Sequence, residues 1–242
     1  MAFSPIISKG LSVLGLRLVN KKLYRSGYFQ HESEKLMASI QEEYLGLLSK
    51  YPTTEDRRKG LENQILFVEM VHWLGIEKSK PLKILDIGGR GGLFAYFCKK
   101  YGHQSYVSDI PGVLQKSPNK ELLQLLNVDS LDLKIEPFTP VDTDGEKFDL
   151  ITGFRTRFHS KLTFETGKDY EEHWGVKEWE YLLNNLASNI LNENGKIFFM
   201  LNRLQEKEKK GYVPQEIADF FSEKGGILND QFLYFPQLPG PF

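Results

Sequence analysis

The residues best suited to chemistry cluster in "LDIGGRGG", residues 85–92, where Asp86 is followed by Gly88, Gly89, Arg90, Gly91 and Gly92. Four of the five positions after Ile87 lack a Cβ, so atoms of a ligand can approach the main chain there. If a helix opens at about Gly92, its first N–H groups attract a negative or polar group to the same place. Asp109, at the end of "SYVSDI", adds a carboxylate whose two oxygens can each accept a hydrogen bond and so hold a diol in one orientation. The competing reading of Asp109 is a turn or N-cap aspartate ahead of Pro111. A dinucleotide fingerprint, G-x-G-x-x-G, is not met. Counting from Gly89 puts Phe94 at the third glycine, and counting from Gly88 puts Arg90 at the second.

Such a turn works only between a strand and a helix, and the pattern around it supplies both. Short apolar runs predict strands near 82–87, 104–109, 131–136, 147–153 and 195–201. Amphipathic runs predict helices near 92–101, 112–127, 176–190 and 214–223. "SPNKELLQLL" and "YVPQEIADFF" place a proline where a first helical turn tolerates it. "GGILNDQFLYF" reads as one strand or a broken pair. Strands alternating with helices imply an α/β fold, a Rossmann-like, doubly wound, mostly parallel sheet. In such sheets ligands bind beyond the carboxyl ends of the strands, where both the glycine turn and Asp109 fall. Residues 1–80 read as helical and form an N-terminal extension. In it "PTTEDRRKG" is a polar break between "ESEKLMASIQEEYLGLLSKY" and "LENQILFVEMVHWLGI". Residues 81–242 are the expected ligand-binding domain.

With 31 basic and 32 acidic residues and a net charge of −1, the chain lacks the positive excess that nucleic-acid binding needs, and no nucleic-acid partner is expected. A single cysteine, Cys98, excludes an internal disulfide and a cysteine-rich metal site. With no secretory signal read at the N-terminus, a cytoplasmic location is expected. Residues 1–29 carry Lys9, Arg17, Lys21, Lys22 and Arg25 and no acid, with Leu11, Leu14 and Leu18 on one helical face. Through residues 5–25 this segment has two readings: a helix lying on the inner membrane surface, or one packed on its own domain or on a second copy in a homodimer.

"LDIGGRGG" resembles motif I of class I S-adenosylmethionine-dependent methyltransferases, D/E-x-G-x-G-x-G. Asp86, Gly88 and Gly92 fall on the pattern, and Arg90 departs from it at the middle glycine, flanked by Gly89 and Gly91. Four further features follow in the family's order. Asp109, with Ile110 beside it, stands where the ribose is held. Glu136 and Phe138 in "KIEPF" match the acid and apolar neighbour that meet the adenine. "EKFDLITGF" is similar to the fourth strand, with Gly153 facing the reacting group and Asp149 structural. "LASNILNENGKIFFMLNR" is similar to the helix, turn and fifth strand. The resemblance implies S-adenosyl-L-methionine as cofactor and S-adenosyl-L-homocysteine as product.

Methyl transfer from a sulfonium requires alignment of the nucleophile and exclusion of water, and a hydroxyl acceptor also needs a general base. Of the histidines, His159 in "GFRTRFHS" and His173 in "KDYEEHWG" follow the fourth strand and are the candidate bases; the competing reading is a histidine capping the next helix. His103 belongs to the opposite edge, and His72 reads as a core residue. Arg155 and Arg157 alternate and so face one way in an extended segment, suiting an anionic group on the acceptor. Phe154 precedes them, and Phe164, Tyr170 and Trp174 offer faces for a flat or sugar-like acceptor or anchors for a lid. No N/D-P-P-Y motif follows the fourth strand, which disfavours a nitrogen acceptor, and no carboxylate cluster calls for a metal. "LGLRLVNKKLY" is similar to the opening of bacterial methyltransferases associated with surface polysaccharides, which turns the expected acceptor toward a sugar hydroxyl or other small hydroxylated molecule. The alternatives are a methyltransferase for a different small molecule, a cofactor-binding partner protein without transferase activity, and a dinucleotide-dependent oxidoreductase.

Overall fold

The computed structural model describes residues 27–110, 112–156, 158, 174–202 and 213–238, apart from the side chains of residues 55 and 59. The basic segment of residues 5–25 lies outside them, as do His159, His173 and Arg157. The chain divides into two compact units, one ending at Asp132 and one beginning at Leu133.

Among the described residues the first unit begins with three helices, α1 (Tyr28–Met37), α2 (Gln41–Leu48) and α3 (Thr54–Trp73). The polar break between α2 and α3 is a helix-start signal: the Thr53 hydroxyl accepts the Asp56 N–H at 3.0 Å and caps α3. A short 3-10 turn, Ile76–Lys78, leads into β1 (Lys83–Ile87), α4 (Leu93–Lys100), β2 (Gln104–Asp109), α5 (Asn119–Leu126) and β3 (Asp129–Asp132). The strands lie in the order β3-β2-β1, all parallel, with Ile87 opposite Ser108 and Asp109 opposite Asp132. Residues 93–98 of α4 are all buried, because the helix is covered by the N-terminal helices as well as by strands. The Tyr96 hydroxyl donates to the Leu36 carbonyl at 2.9 Å, and Phe67 of α3 meets Phe94 edge-on at 5.8 Å. Among the described residues no helix is long and apolar enough to cross a membrane.

The second unit contains β4 (Phe148–Thr156), α6 (Val176–Asn185) continued by a π turn over Leu186–Ile190, β5 (Leu191–Leu201), α7 (Gln215–Glu223), β6 (Ile227–Asn229) and β7 (Phe232–Phe235). β4 and β5 are parallel, β5 and β7 antiparallel, and β6–β7 is a hairpin. Its core is aromatic: Phe158 lies 4.5 Å from Trp179 and 5.2 Å from Phe199, ring centre to ring centre, and Trp179 meets Phe221 edge-on.

The seven strands of the described residues pair mostly in parallel, so the chain is the mixed α/β, Rossmann-like protein that the alternation implies. Three expectations shift. The third strand is Asp129–Asp132, not 131–136: the chain has already left the strand at "KIEPF", where Pro137 offers no N–H and Phe138 turns left-handed at φ 57°. The helix expected over 112–127 is confined to Asn119–Leu126, since Pro118 stands just before its first turn. The helix expected over 176–190 gives up α geometry at Asn185. The last segment is a broken pair, the β6–β7 hairpin.

Candidate functional site

In the first unit the glycine turn joins β1 to α4 and lies beside the end of β2. Asp86, in β1, is buried, and the turn folds back over it. A Cβ on Gly89 would stand 2.4 Å from the Val107 Cγ2 and 2.5 Å from the Asp86 Oδ2, so no larger residue fits. Gly92 caps α4 at φ 75°, with a would-be Cβ 2.8 Å from Leu123. The close approach that the glycines permit is therefore, at these two positions, an approach of the protein to itself. It packs the turn tightly enough to fix its N–H groups.

Most of those groups are already used. The Gly88 and Gly89 N–H groups both donate to the Ser108 carbonyl, at 2.7 and 3.2 Å, and the Gly92 N–H donates to Gly89 at 2.9 Å. The Arg90 N–H donates to the Asp109 Oδ2 at 3.3 Å. Only the Gly91 N–H, of the turn's own, has no acceptor among the described residues. The turn is thus a pre-set frame with one free donor beside the start of α4.

Asp109 is gripped from both sides, its Oδ1 accepting the Ile110 N–H at 2.8 Å and its Oδ2 the Arg90 N–H. Burial pushes its carboxyl above the ordinary carboxylate value, against the two N–H bonds and the Arg90 charge, which pull it down. Each oxygen keeps acceptor capacity beyond its one N–H donor. A partly desolvated carboxylate gains from further donors, and a vicinal diol brings two. Ile110, 43% exposed, puts an apolar surface next to it. These features fit a ribose and a flat ring.

Arg90 carries the departure from the usual motif. Its φ is 45°, in the left-handed region where a glycine is at ease and an arginine is not. Its guanidinium reaches back to α3, with Nη1 3.7 Å from the Asp56 Oδ1. The Tyr51 phenol completes this corner by donating to the Asn119 Oδ1 at 2.6 Å. Burial, with the Asp56 and Asp109 charges, pushes that phenol up to about 12, and Arg90 opposes the shift. Sequence reasoning missed Tyr51 and Asp56. The capping pattern T-x-x-D at Thr53 was the available signal for the start of α3, but nothing local announced that it meets the glycine turn.

In the second unit, Gly153, Phe154 and Arg155 fall at the end of β4. Gly153 is buried, Phe154 is half-buried with its ring 6.1 Å from Phe198, and Arg155 is exposed at φ 59°. Glu136 is exposed and paired with Lys134 at 2.5 Å. Phe138 is 54% exposed, touching Tyr181 edge-on at 5.7 Å. Trp174 is not an open face for an acceptor. At 3% exposure it is enclosed by Phe158 and Trp179, with centroids at 5.2 and 5.6 Å, and belongs to the aromatic core of its unit. Asp149 is structural, its Oδ1 accepting the Asn192 side-chain amide at 2.8 Å. His103 is likewise part of the scaffold: its Nδ1 accepts the Leu82 N–H and its Nε2 lies 3.0 Å from the Ile76 carbonyl. His72 is enclosed by Tyr28, Phe29 and Tyr101.

No protein-family model matches the chain. No curated protein matches it either. Several solved structures do. The chain is similar to the ribosomal protein L11 methylase of Lactobacillus delbrueckii subsp. bulgaricus, with 18% identity, over 69% of this chain and 75% of that one, at a TM-score of 0.41. It is similar to the magnesium protoporphyrin IX methyltransferase of Synechocystis PCC 6803 with bound SAM, with 12% identity, over 85% of this chain and 95% of that one, at 0.47. It is also similar to an O-methyltransferase family protein of Burkholderia thailandensis, with 11% identity, over 87% and 71%, at 0.46. Of some other matched structures it spans only 50 to 57% of the length. Likenesses this distant carry no argument about reaction or acceptor, which must come from the residues.

Proposed function

We propose that the chain is an S-adenosyl-L-methionine-dependent methyltransferase that methylates an oxygen of a small hydroxylated acceptor such as a sugar. The observation that carries the cofactor reading is Asp109. A carboxylate made costly by burial is oriented at the end of β2 by the N–H groups of Arg90 and Ile110, with acceptor capacity left on both oxygens. Those oxygens would hold the ribose diol, Ile110 would lie against the adenine, and the Gly91 N–H would meet the amino-acid end. Glu136 and Phe138, beyond β3, are the proposed further contacts to the adenine, and Gly153 the proposed neighbour of the reacting group.

Bound there, the cofactor supplies an electrophilic methyl group on a sulfonium. The chain's own task is to hold an acceptor oxygen in line with that methyl and to take up the proton the oxygen loses. His159 is the proposed base, with His173 second. Phe154, Arg155 and Arg157 are proposed to hold the acceptor. The lack of an amine-type motif after β4 supports an oxygen nucleophile.

The test is a thermal melt with S-adenosyl-L-homocysteine. At about 100 times its dissociation constant a ligand raises stability by about 2.7 kcal/mol, a clear rise in Tm. NAD and NADP are expected to leave the melt unmoved. A rise with a dinucleotide and none with S-adenosyl-L-homocysteine overturns the proposal. Turnover of a sugar panel with His159→Ala then tests the base: cofactor affinity is expected to hold while rate falls.

A further inference from the structure

We infer that Asp56 and Arg90 form a two-charge clamp for the zwitterionic amino-acid end of the cofactor, the guanidinium taking its carboxylate and the Asp56 carboxylate its ammonium. The inference rests on the cofactor reading above and assigns to this chain a recognition element at the place where it departs from the usual glycine motif.

Four observations lead there. Arg90 stands at φ 45°, where glycine would relieve the backbone, so the side chain is kept in spite of its conformation. Its main-chain N–H holds Asp109, so the residue that presents the guanidinium also orients the proposed ribose contact. Asp56 is steadied by the Thr53 hydroxyl, which donates to its Oδ2 at 2.6 Å, leaving Oδ1 to face Arg90. Lastly, the Gly91 N–H next to Arg90 has no acceptor among the described residues.

The pair is also poised for exchange. At 3.7 Å, with the Arg90 side chain 62% exposed, it is a long, solvated ion pair of little net worth. An α-amino acid carries its two opposite charges on one carbon. It can therefore slip against such a pair and give each charge a shorter, charge-assisted hydrogen bond. Tyr51, fixed to Asn119, lies close enough to feel the charges of Arg90, Asp56 and Asp109. Because Asp56 belongs to the first turn of α3, the clamp also ties cofactor binding to the N-terminal helices.

Calorimetric titration of the full chain with two ligands tests this: S-adenosyl-L-homocysteine, and 5′-methylthioadenosine, which has the same nucleoside thioether and no amino-acid end. Arg90→Gly, which suits the backbone, is expected to keep the wild-type Tm. It should lose roughly tenfold in affinity for S-adenosyl-L-homocysteine and nothing for 5′-methylthioadenosine. Arg90→Lys should recover part of that loss, and Asp56→Asn should show the same selectivity with a smaller drop. Equal losses for both ligands, or an unchanged affinity for S-adenosyl-L-homocysteine in Arg90→Gly, overturn the clamp while leaving the cofactor assignment standing. A wild-type chain that binds neither ligand overturns the cofactor reading itself, and the clamp with it.

Discussion

Two arginines sit left-handed at the carboxyl ends of strands, one in each unit: Arg90 after β1 and Arg155 near the end of β4. They are held in opposite ways. Arg90 engages both its main chain and its side chain, the N–H on Asp109 and the guanidinium facing Asp56. Among the described residues Arg155 engages only its carbonyl, which accepts from the Asn202 side-chain amide at a register shift between β4 and β5, while its side chain is exposed. The turn in the first unit is a frame of hydrogen bonds set before any ligand arrives. The end of β4 presents a side chain instead. A frame suits a ligand that never varies, such as a cofactor, and a presented side chain suits an acceptor.

Substitutions at the two ends should therefore differ in kind. The largest effect is expected from Gly89→Val, whose new carbons would run into Val107 and Asp86. It should abolish S-adenosyl-L-homocysteine binding in calorimetry and cost toward the upper end of about 1–3 kcal/mol in urea unfolding. A variant that still binds would show that the frame is softer than its contacts imply.

Next comes a cost the first unit carries at neutral pH. Glu69 of α3 is fully buried, neither carboxylate oxygen has a hydrogen-bond partner among the described residues, and burial pushes its carboxyl up to about 8. Below its ordinary value of 4.5 the group is neutral in the folded and unfolded chain alike. Between there and about 8 only the unfolded chain releases the proton, so stability falls as pH rises through that window. Glu69→Gln removes the penalty. Its melting curve should gain on the wild type from pH 5 to pH 8 by on the order of a few kcal/mol, each worth roughly 2–4 °C in a chain of this length. A gap that does not widen with pH would mean the carboxyl titrates normally.

Asp109→Ala follows, expected to weaken S-adenosyl-L-homocysteine by about 1.5–3 kcal/mol, the worth of hydrogen bonds to a charged group, with calorimetry as the readout. The smallest effect is expected at the other end. Arg155→Gly trades left-handed strain for chain entropy, so stability should stay within about 0.5 kcal/mol and cofactor affinity should not change, while turnover of an anionic acceptor falls. A loss of cofactor affinity there would erase the contrast between the two arginines.

Much of the first unit could be read from its letters. β1 and β2 lie close to their expected bounds, because each is a short stretch with β-branched or aromatic residues at its centre, closed by a glycine or an acid, and Asp109 ends its strand as its spacing implied. β3 is poorly legible in sequence, since "DSLD" is an exposed edge strand with little apolar pattern, while "LKIEPF" looks more strand-like than it is. The two readings of Trp174, an open face or a hydrophobic anchor, look alike for a related reason: an aromatic in a polar loop looks available, and only the packing of Phe158 and Trp179 shows it enclosed. Glu69 left a faint trace, one acid among the apolar residues of "ILFVEMVHW".

What the amino-acid order determined unaided is the strand–turn–helix around Gly88–Gly92 and the acid at the close of β2, since backbone conformation and hydrogen bonding between near neighbours are local matters. What only the folded chain decided is the company Arg90 keeps. Asp56, in the first turn of α3, and Tyr51, in the segment between α2 and α3, come to it from far away in sequence, and no local preference encodes a meeting that depends on how α3 and α4 pack.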